Sequence, residues 1–137
     1  MVKSRNSQKA ELKVKEGDFR DLEVWQKCRD IRIKIWELCK SFPDEEKYRL
    51  LDQMIRASRS STSNIAEGYG RYHYQENIQF CRQSRGSLYE LIDHILVAEE
   101  CEYIDNSLSE KLIDEVKTAI AVLNGYIKYL KSRKENS

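Results

Sequence analysis

Three features of this 137-residue chain predict an all-α fold, an antiparallel up-down-up-down four-helix bundle. Apolar residues recur at alternating spacings of three and four along four separate stretches, which is the period of one helix face. Helix breakers are scarce, with one Pro and five Gly, so connections are short. The length suits one domain that can bury a hydrophobic core. Two helical hairpins exchanged between chains have the same pattern.

Residues 1–18 show no apolar period and read as a mobile N-terminal arm, followed by a bundle over 19–132 and a tail over 133–137. Asp18 or Asp21 is placed to cap the first helix. Its face is Val24, Cys28, Ile31, Ile35, Leu38 and Phe42, widened by Trp25 and Trp36. Phe42-Pro43 ends it, because the residue before Pro avoids the helical region. Asp44 to Glu46 put acids where the macrodipole of a second helix favours them. That helix carries one row through Tyr48, Leu51, Ile55, Ser58, Thr62, Ile65 and Tyr69. A second row runs through Leu50, Met54, Ala57, Ser61, Asn64 and Gly68, and Gly68 and Gly70 close the helix.

The third helix repeats the pattern at Asn77, Cys81, Ser84, Leu88, Leu91, Ile95 and Ala98. The fourth does so at Leu112, Val116, Ala119, Leu123, Tyr126 and Leu130. Ser107 or Ser109 is its expected cap and Glu110 to Lys131 its body. Ile113, Ile120 and Ile127 add a further row on that helix. Surplus apolar rows suit an oligomer surface; the alternative is the wide core face of a compact monomer.

The charge, +1 overall, is unevenly spread. Residues 53–88 hold five Arg against two acids, 89–115 nine acids against one Lys, and 116–137 five bases against one acid. Such segregation marks surfaces that meet partners or each other, rather than a uniformly basic nucleic-acid binder. No apolar run approaches the ~20 residues that span a bilayer, and the first eighteen residues lack the apolar segment of a secretory signal. A soluble, cytoplasmic protein is expected, with no membrane partner. Cys28, Cys39, Cys81 and Cys101 form no C-x-x-C pair and His73 and His94 have no partner at i+4, so the thiols read as reduced side chains rather than zinc ligands, and no metal or other cofactor is expected.

The stretch SRSSTSNIAEGYGR, Ser58 to Arg71, stands out because Ser and Thr are poor surface helix formers. In a hairpin of helices two and three that turns near Tyr72, residue 60 lies level with residue 84, so Ser58–Ser63 faces Cys81–Ser87. Small side chains there allow close helix approach, and hydroxyls can bond back to a carbonyl one turn earlier. A close-packing seam therefore explains the run better than a phosphate cradle. No strand and Gly-rich turn precede it.

Arg56-Ala57, then Asn64-Ile65-Ala66-Glu67-Gly68, then Gly86-Ser87-Leu88-Tyr89-Glu90-Leu91 resemble the four-helix bundle family encoded by intervening sequences of bacterial 23S ribosomal RNA genes. Phe19 to Cys28 and Phe42 to Ala57 resemble its first helix and the start of its second, and the likeness covers about Phe19 to Lys131. Ser61 and Ser84 depart from it, where the family tends to carry an apolar residue and Ala. The resemblance implies an up-down bundle that assembles as a ring-like homopentamer, of unsettled biochemical role. Members are labelled ribosomal by genome position. A distantly similar group assists reverse transcriptases and binds nucleic acid through basic ring surfaces, which makes RNA or DNA a candidate ligand.

Gln53, Arg56, Asn64, Glu67 and Glu90 lie close to apolar rows and, with Gly68, Gly86 and Ser87, make up the structural motif. The expectation is a buried polar network that includes an Arg56–Glu90 ion pair. Reading Glu67 and Glu90 as catalytic carboxylates is disfavoured, because a four-helix carboxylate metal site needs Glu-x-x-His pairs and neither His supplies one. The chain is accordingly expected to be no enzyme, and its residues identify no small-molecule substrate. Candidate nucleic-acid contacts are Arg59, Arg82 and Arg85 near the two-three seam, Arg71 in a loop flanked by Tyr69, Tyr72 and Tyr74, and Lys128, Lys131, Arg133 and Lys134 at the C-terminus. A protein-binding scaffold without nucleic-acid contact is the alternative.

Overall fold

In a computed structural model that describes residues 17–136, four helices carry the chain. They are α1 (Glu23–Cys39), α2 (Leu50–Gly70), α3 (Tyr74–Glu100) and α4 (Asn106–Glu135). Short 3-10 turns at Phe19–Asp21 and Asp44–Glu46 precede α1 and α2. All regular structure among the described residues is helical, consistent with a four-helix bundle. Of the arm expected over residues 1–18, residues 1–16 lie outside the described residues, while Asp18 belongs to the capping box of the first 3-10 turn.

The rows read from the sequence form the core. Every member of the α3 row is buried, from Asn77 to Ala98. So are Val24, Cys28, Ile31 and Ile35 of α1, with Phe42 beyond it. On α4 the second row was expected as oligomer surface, yet Ile120 and Ile127 are each only 4% exposed. A helix wedged between two neighbours presents more than one seam to the core, so this row is filled from within the chain. Tyr48 departs from its expected place. It precedes α2 and stands 85% exposed. Trp36 is 48% exposed, so it borders the core where Trp25 enters it.

The helix ends are set by side chains other than those expected. Asp18 and Asp21 do cap, but they close a reciprocal capping box around the 3-10 turn, and α1 itself, with Leu22 at its N-cap, has no side-chain cap. Asp44–Glu46 form a separate turn rather than the first turn of α2. Asp105, not Ser107 or Ser109, caps α4 by accepting from the Leu108 N–H at 2.8 Å. Ser109 is instead fully buried. The fourth helix continues to Glu135, past residue 132 where the bundle was expected to end.

The most extensive helix contact is between α2 and α3. Ser84 Oγ donates to the Ser61 carbonyl at 2.7 Å, and the Ser60 and Ser87 hydroxyls pair at 2.8 Å. Within α2, Ser58, Ser61, Thr62 and Ser63 each donate to the carbonyl three residues earlier. No hydroxyl in this run therefore pays an unsatisfied desolvation penalty, about 1–3 kcal/mol for a buried polar group. Nearer the turn the approach is tightest. A Cβ on Gly68 would stand 2.8 Å from both Asn77 Oδ1 and Phe80 Cβ. By contrast, an added Cβ on Gly70 or Gly86 would meet nothing within 4 Å.

Gly68→Ala should accordingly destabilise the fold by roughly 1–3 kcal/mol through overpacking. Gly70→Ala should change stability by about 0.5 kcal/mol or less. Urea midpoints of the two variants check this; equal midpoints would mean that the α2–α3 approach is looser than described.

Candidate nucleic-acid interface

The chain between α2 and α3 is short. Arg71 ends α2 in helical conformation, Tyr72 takes a left-handed φ of 53°, and His73 starts α3 from extended backbone. A left-handed tyrosine is uncommon and marks the sharp reversal. It leaves the Tyr72 ring 89% exposed. The last turns of α4 reach the same end. The Arg133 guanidinium lies beside Tyr74, which holds its pKa above the ordinary value, and Lys134 Nζ donates to Gln75 Oε1. Cations in the final turn of a helix also face the negative end of its dipole.

Between these elements lies a cleft of about 400 Å³, lined by Tyr69, Tyr72, His73, Tyr74, Tyr126 and Tyr129. Leu22, Asn77 and Leu130 complete it. The Tyr126 and Tyr129 rings are near parallel, at 15° with centroids 6.3 Å apart. Asn77 Nδ2 donates to the Tyr126 hydroxyl at 3.3 Å. Burial pushes the Tyr126 phenol up to about 12, so it stays neutral.

The candidate basic residues divide into two groups. Arg71, Lys128, Lys131, Arg133 and Lys134 belong to this end of the molecule, though Arg71 is partly engaged by Glu67 at 3.2 Å and by the face of Phe80 at 5.2 Å. Arg59, Arg82 and Arg85 do not form one patch. Arg59 lies over the Trp36 ring at 5.6 Å, Arg85 donates to Asn124 Oδ1 at 2.7 Å across the α3–α4 face, and Arg82 stands exposed on α3. Tyr129 was not singled out from the sequence, His73 was weighed only as a metal ligand, and Tyr126 was read as core. Two tyrosines three apart beside Lys128 and Lys131 were the available signal.

The expected polar network is not gathered. Arg56 pairs with Asp52 at 3.0 Å rather than with Glu90, and Glu90 meets His94 at 3.0 Å on its own helix. Gln53 is exposed. Intrahelical partners at i,i+4 win because they cost no tertiary approach. Asn64 is half-buried and donates to the Ser60 carbonyl at 2.9 Å, so it serves the seam. Ser87 joins the seam as well, while Gly86 is exposed. Glu67 and Glu90, each about half exposed and each held by a cationic or imidazole neighbour on its own helix, are not a carboxylate pair. Among the described residues no three His, Cys, Asp or Glu side chains cluster in a metal-binding arrangement. No helix among them is long and apolar enough to cross a membrane.

The sequence profile of the 23S rRNA-intervening sequence protein family matches residues 20–125. A solved structure, a protein of unknown function from the S23 ribosomal protein family of Bacteroides thetaiotaomicron VPI-5482, is similar at a TM-score of 0.71. Its sequence identity is 21%, over 77% of this chain and 95% of that one, which is a likeness of fold. No curated protein matches the chain.

Cys28, Cys39 and Cys81 are buried and Cys101 is exposed. Burial pushes the Cys28 and Cys39 thiols up to about 11 and Cys81 to about 12, from an ordinary 9.0; a bond with Ser61 offsets part of the Cys28 shift. The folded chain thus holds these protons to higher pH than the unfolded chain does. Their stabilising effect is complete below about pH 8.5 and is lost as pH rises toward the folded values. The urea midpoint should fall between about pH 9 and 11, and less steeply in Cys81→Ala, which has no proton to lose there. Equal slopes would remove Cys81 from the account. At about pH 8, a thiol reagent should modify Cys101 well before the other three.

Proposed function

The chain belongs to the 23S rRNA-intervening sequence protein family, and from that premise we propose that it is a non-catalytic, cytoplasmic homo-oligomer that associates with RNA through one basic end of its bundle. The observation that carries this reading is the convergence of two distant segments. The α2–α3 turn and the last turns of α4 bring Arg71, Arg133 and Lys134 to one end beside a tyrosine cleft, with Lys128 and Lys131 exposed on the same last turns of α4. Phosphates are bound by such bases in a salt-dependent way, and aromatic rings add sequence-tolerant contact.

The bundle in this reading is antiparallel, up-down-up-down. Its support is the register, in which Ser60 meets Ser87, Ser61 meets Ser84, and Gly68 meets Asn77, so numbers rise on α2 as they fall on α3. The oligomer in this reading is a pentamer. Its support is apolar surface outside the core, with Ile33 50%, Trp36 48% and Leu96 43% exposed. Ile33 and Leu108 also border an open apolar groove of about 420 Å³ between α1 and α4. A ring brings five sets of the C-terminal bases onto one rim, and weak phosphate contacts then add by avidity.

A second reading, a protein-binding scaffold, is favoured by Trp36 alone. Its half-exposed ring, with Arg59 and Lys40 against it, is the kind of anchor that dominates protein interfaces.

Replacing Lys131, Arg133 and Lys134 together by Glu should weaken binding to ribosomal RNA fragments at least tenfold near 0.1 M salt. The dependence of log K on log salt should also become shallower by about 0.7 for each lost contact to a single strand. Unchanged affinity would remove this end as the RNA surface. Light scattering with and without those fragments tests the assembly. A particle of 16.2 kDa at every concentration would rule out the ring.

A further inference from the structure

Two rings at the basic end are far more open than the packing of the fold requires. Tyr72 is 89% and Tyr129 is 56% exposed, and both border the same cleft although they come from the α2–α3 turn and from α4. The wall behind them is built from half-buried rings, Tyr69, Tyr74 and Tyr126, with Tyr126 held by the Asn77 amide and Arg133 set beside Tyr74. An open slot walled by fixed aromatic faces and edged by cations suits a flat, uncharged ring that carries phosphates on either side. We infer that this cleft takes an unpaired base of single-stranded RNA, stacked on the tyrosines, with the adjoining phosphates met by Arg133 and Lys134, which lie against Tyr74 and Gln75 at the start of α3. The inference rests on the RNA reading above and names the class of RNA.

Strandedness follows from geometry. Bases in an A-form duplex are stacked on one another and present their backbone and shallow groove to a protein, so none can enter a slot between side chains. Base identity should matter little. The Asn77 amide is already occupied, donating to Tyr126 and accepting from the Cys81 thiol at 3.6 Å. Stacking on a ring face is available to every base. Acids at this end are few. Glu67 is held by Arg71, leaving Glu76 in the first turn of α3 and Glu135 at the end of α4.

Fluorescence anisotropy on the full chain tests this, with labelled oligo(U) and oligo(A) of about ten nucleotides and an RNA duplex of similar length. Both single strands should bind about tenfold or more tighter than the duplex, and within about tenfold of each other. Tyr72→Ala with Tyr129→Ala should weaken single-strand binding about tenfold or more without changing the salt slope, while Tyr72→Phe with Tyr129→Phe should bind like the parent. Arg133→Glu with Lys134→Glu should instead flatten the salt slope. Equal affinity for duplex and single strand, or parental affinity in the alanine pair, would overturn base stacking and leave the phosphate-binding reading standing. Failure of every RNA to bind would overturn both.

Discussion

Close contact between α2 and α3 is the constraint on which the rest of this structure depends. Gly68 has no room for a Cβ, and a few turns away the Ser61 carbonyl accepts the Ser84 hydroxyl. Helices meet this closely only where side chains are small and every buried hydroxyl has an acceptor. Ser58, Ser61 and Thr62 satisfy themselves on their own helix, which frees the interface from needing matched polar partners. A polar, serine-rich stretch thus occupies the middle of a bundle without the cost that such residues usually bring. Cys28 and Cys81 pack at the same level as small, neutral, buried side chains.

That contact also sets the form of the turn. With Gly68 against Asn77 and Phe80, few residues are left to reverse the chain, and Tyr72 accepts a left-handed backbone to do so. Its ring is thereby pushed into solvent. Asn77, pinned at the start of α3, bonds to Tyr126 and so ties the turn to the last turns of α4. Packing at the seam, turn geometry and the placement of the C-terminal bases form one chain of consequences. The proposed RNA surface lies at its end.

Charge follows a different logic from packing. Most ion pairs join residues close along the chain, such as Arg56 with Asp52 and Arg71 with Glu67, and they are exposed. Exposed pairs of this kind contribute about 0.2–1 kcal/mol. They neither set the register nor hold the helices together. Their effect is to decide which cations remain for a partner. Arg71 is partly spent on Glu67 and Phe80, and Arg85 on Asn124, whereas Lys128 and Lys131 stand exposed on α4.

Much of the fold was legible in the sequence because helix periodicity is local. The rows from Asn77 to Ala98 and from Leu112 to Leu130 mark buried faces with almost no error, since a residue's neighbours at three and four positions decide its face whatever lies opposite. The serine seam was legible for the same reason, and the shared motif with Asn64 to Gly68 marked the family. Other features required the tertiary structure. Whether Ile120 and Ile127 face a partner or their own core depends on how α4 sits between its neighbours. Glu90 takes His94 in preference to Arg56 because helix spacing, not proximity in a drawing, fixes the distance. The gathering of Tyr72, Tyr126 and Tyr129 around one cleft joins residues more than fifty positions apart. By itself the sequence determined which face of each helix is apolar. Only the packing of those faces decided which surplus residues were left outside, because surface is what remains once the core has been filled.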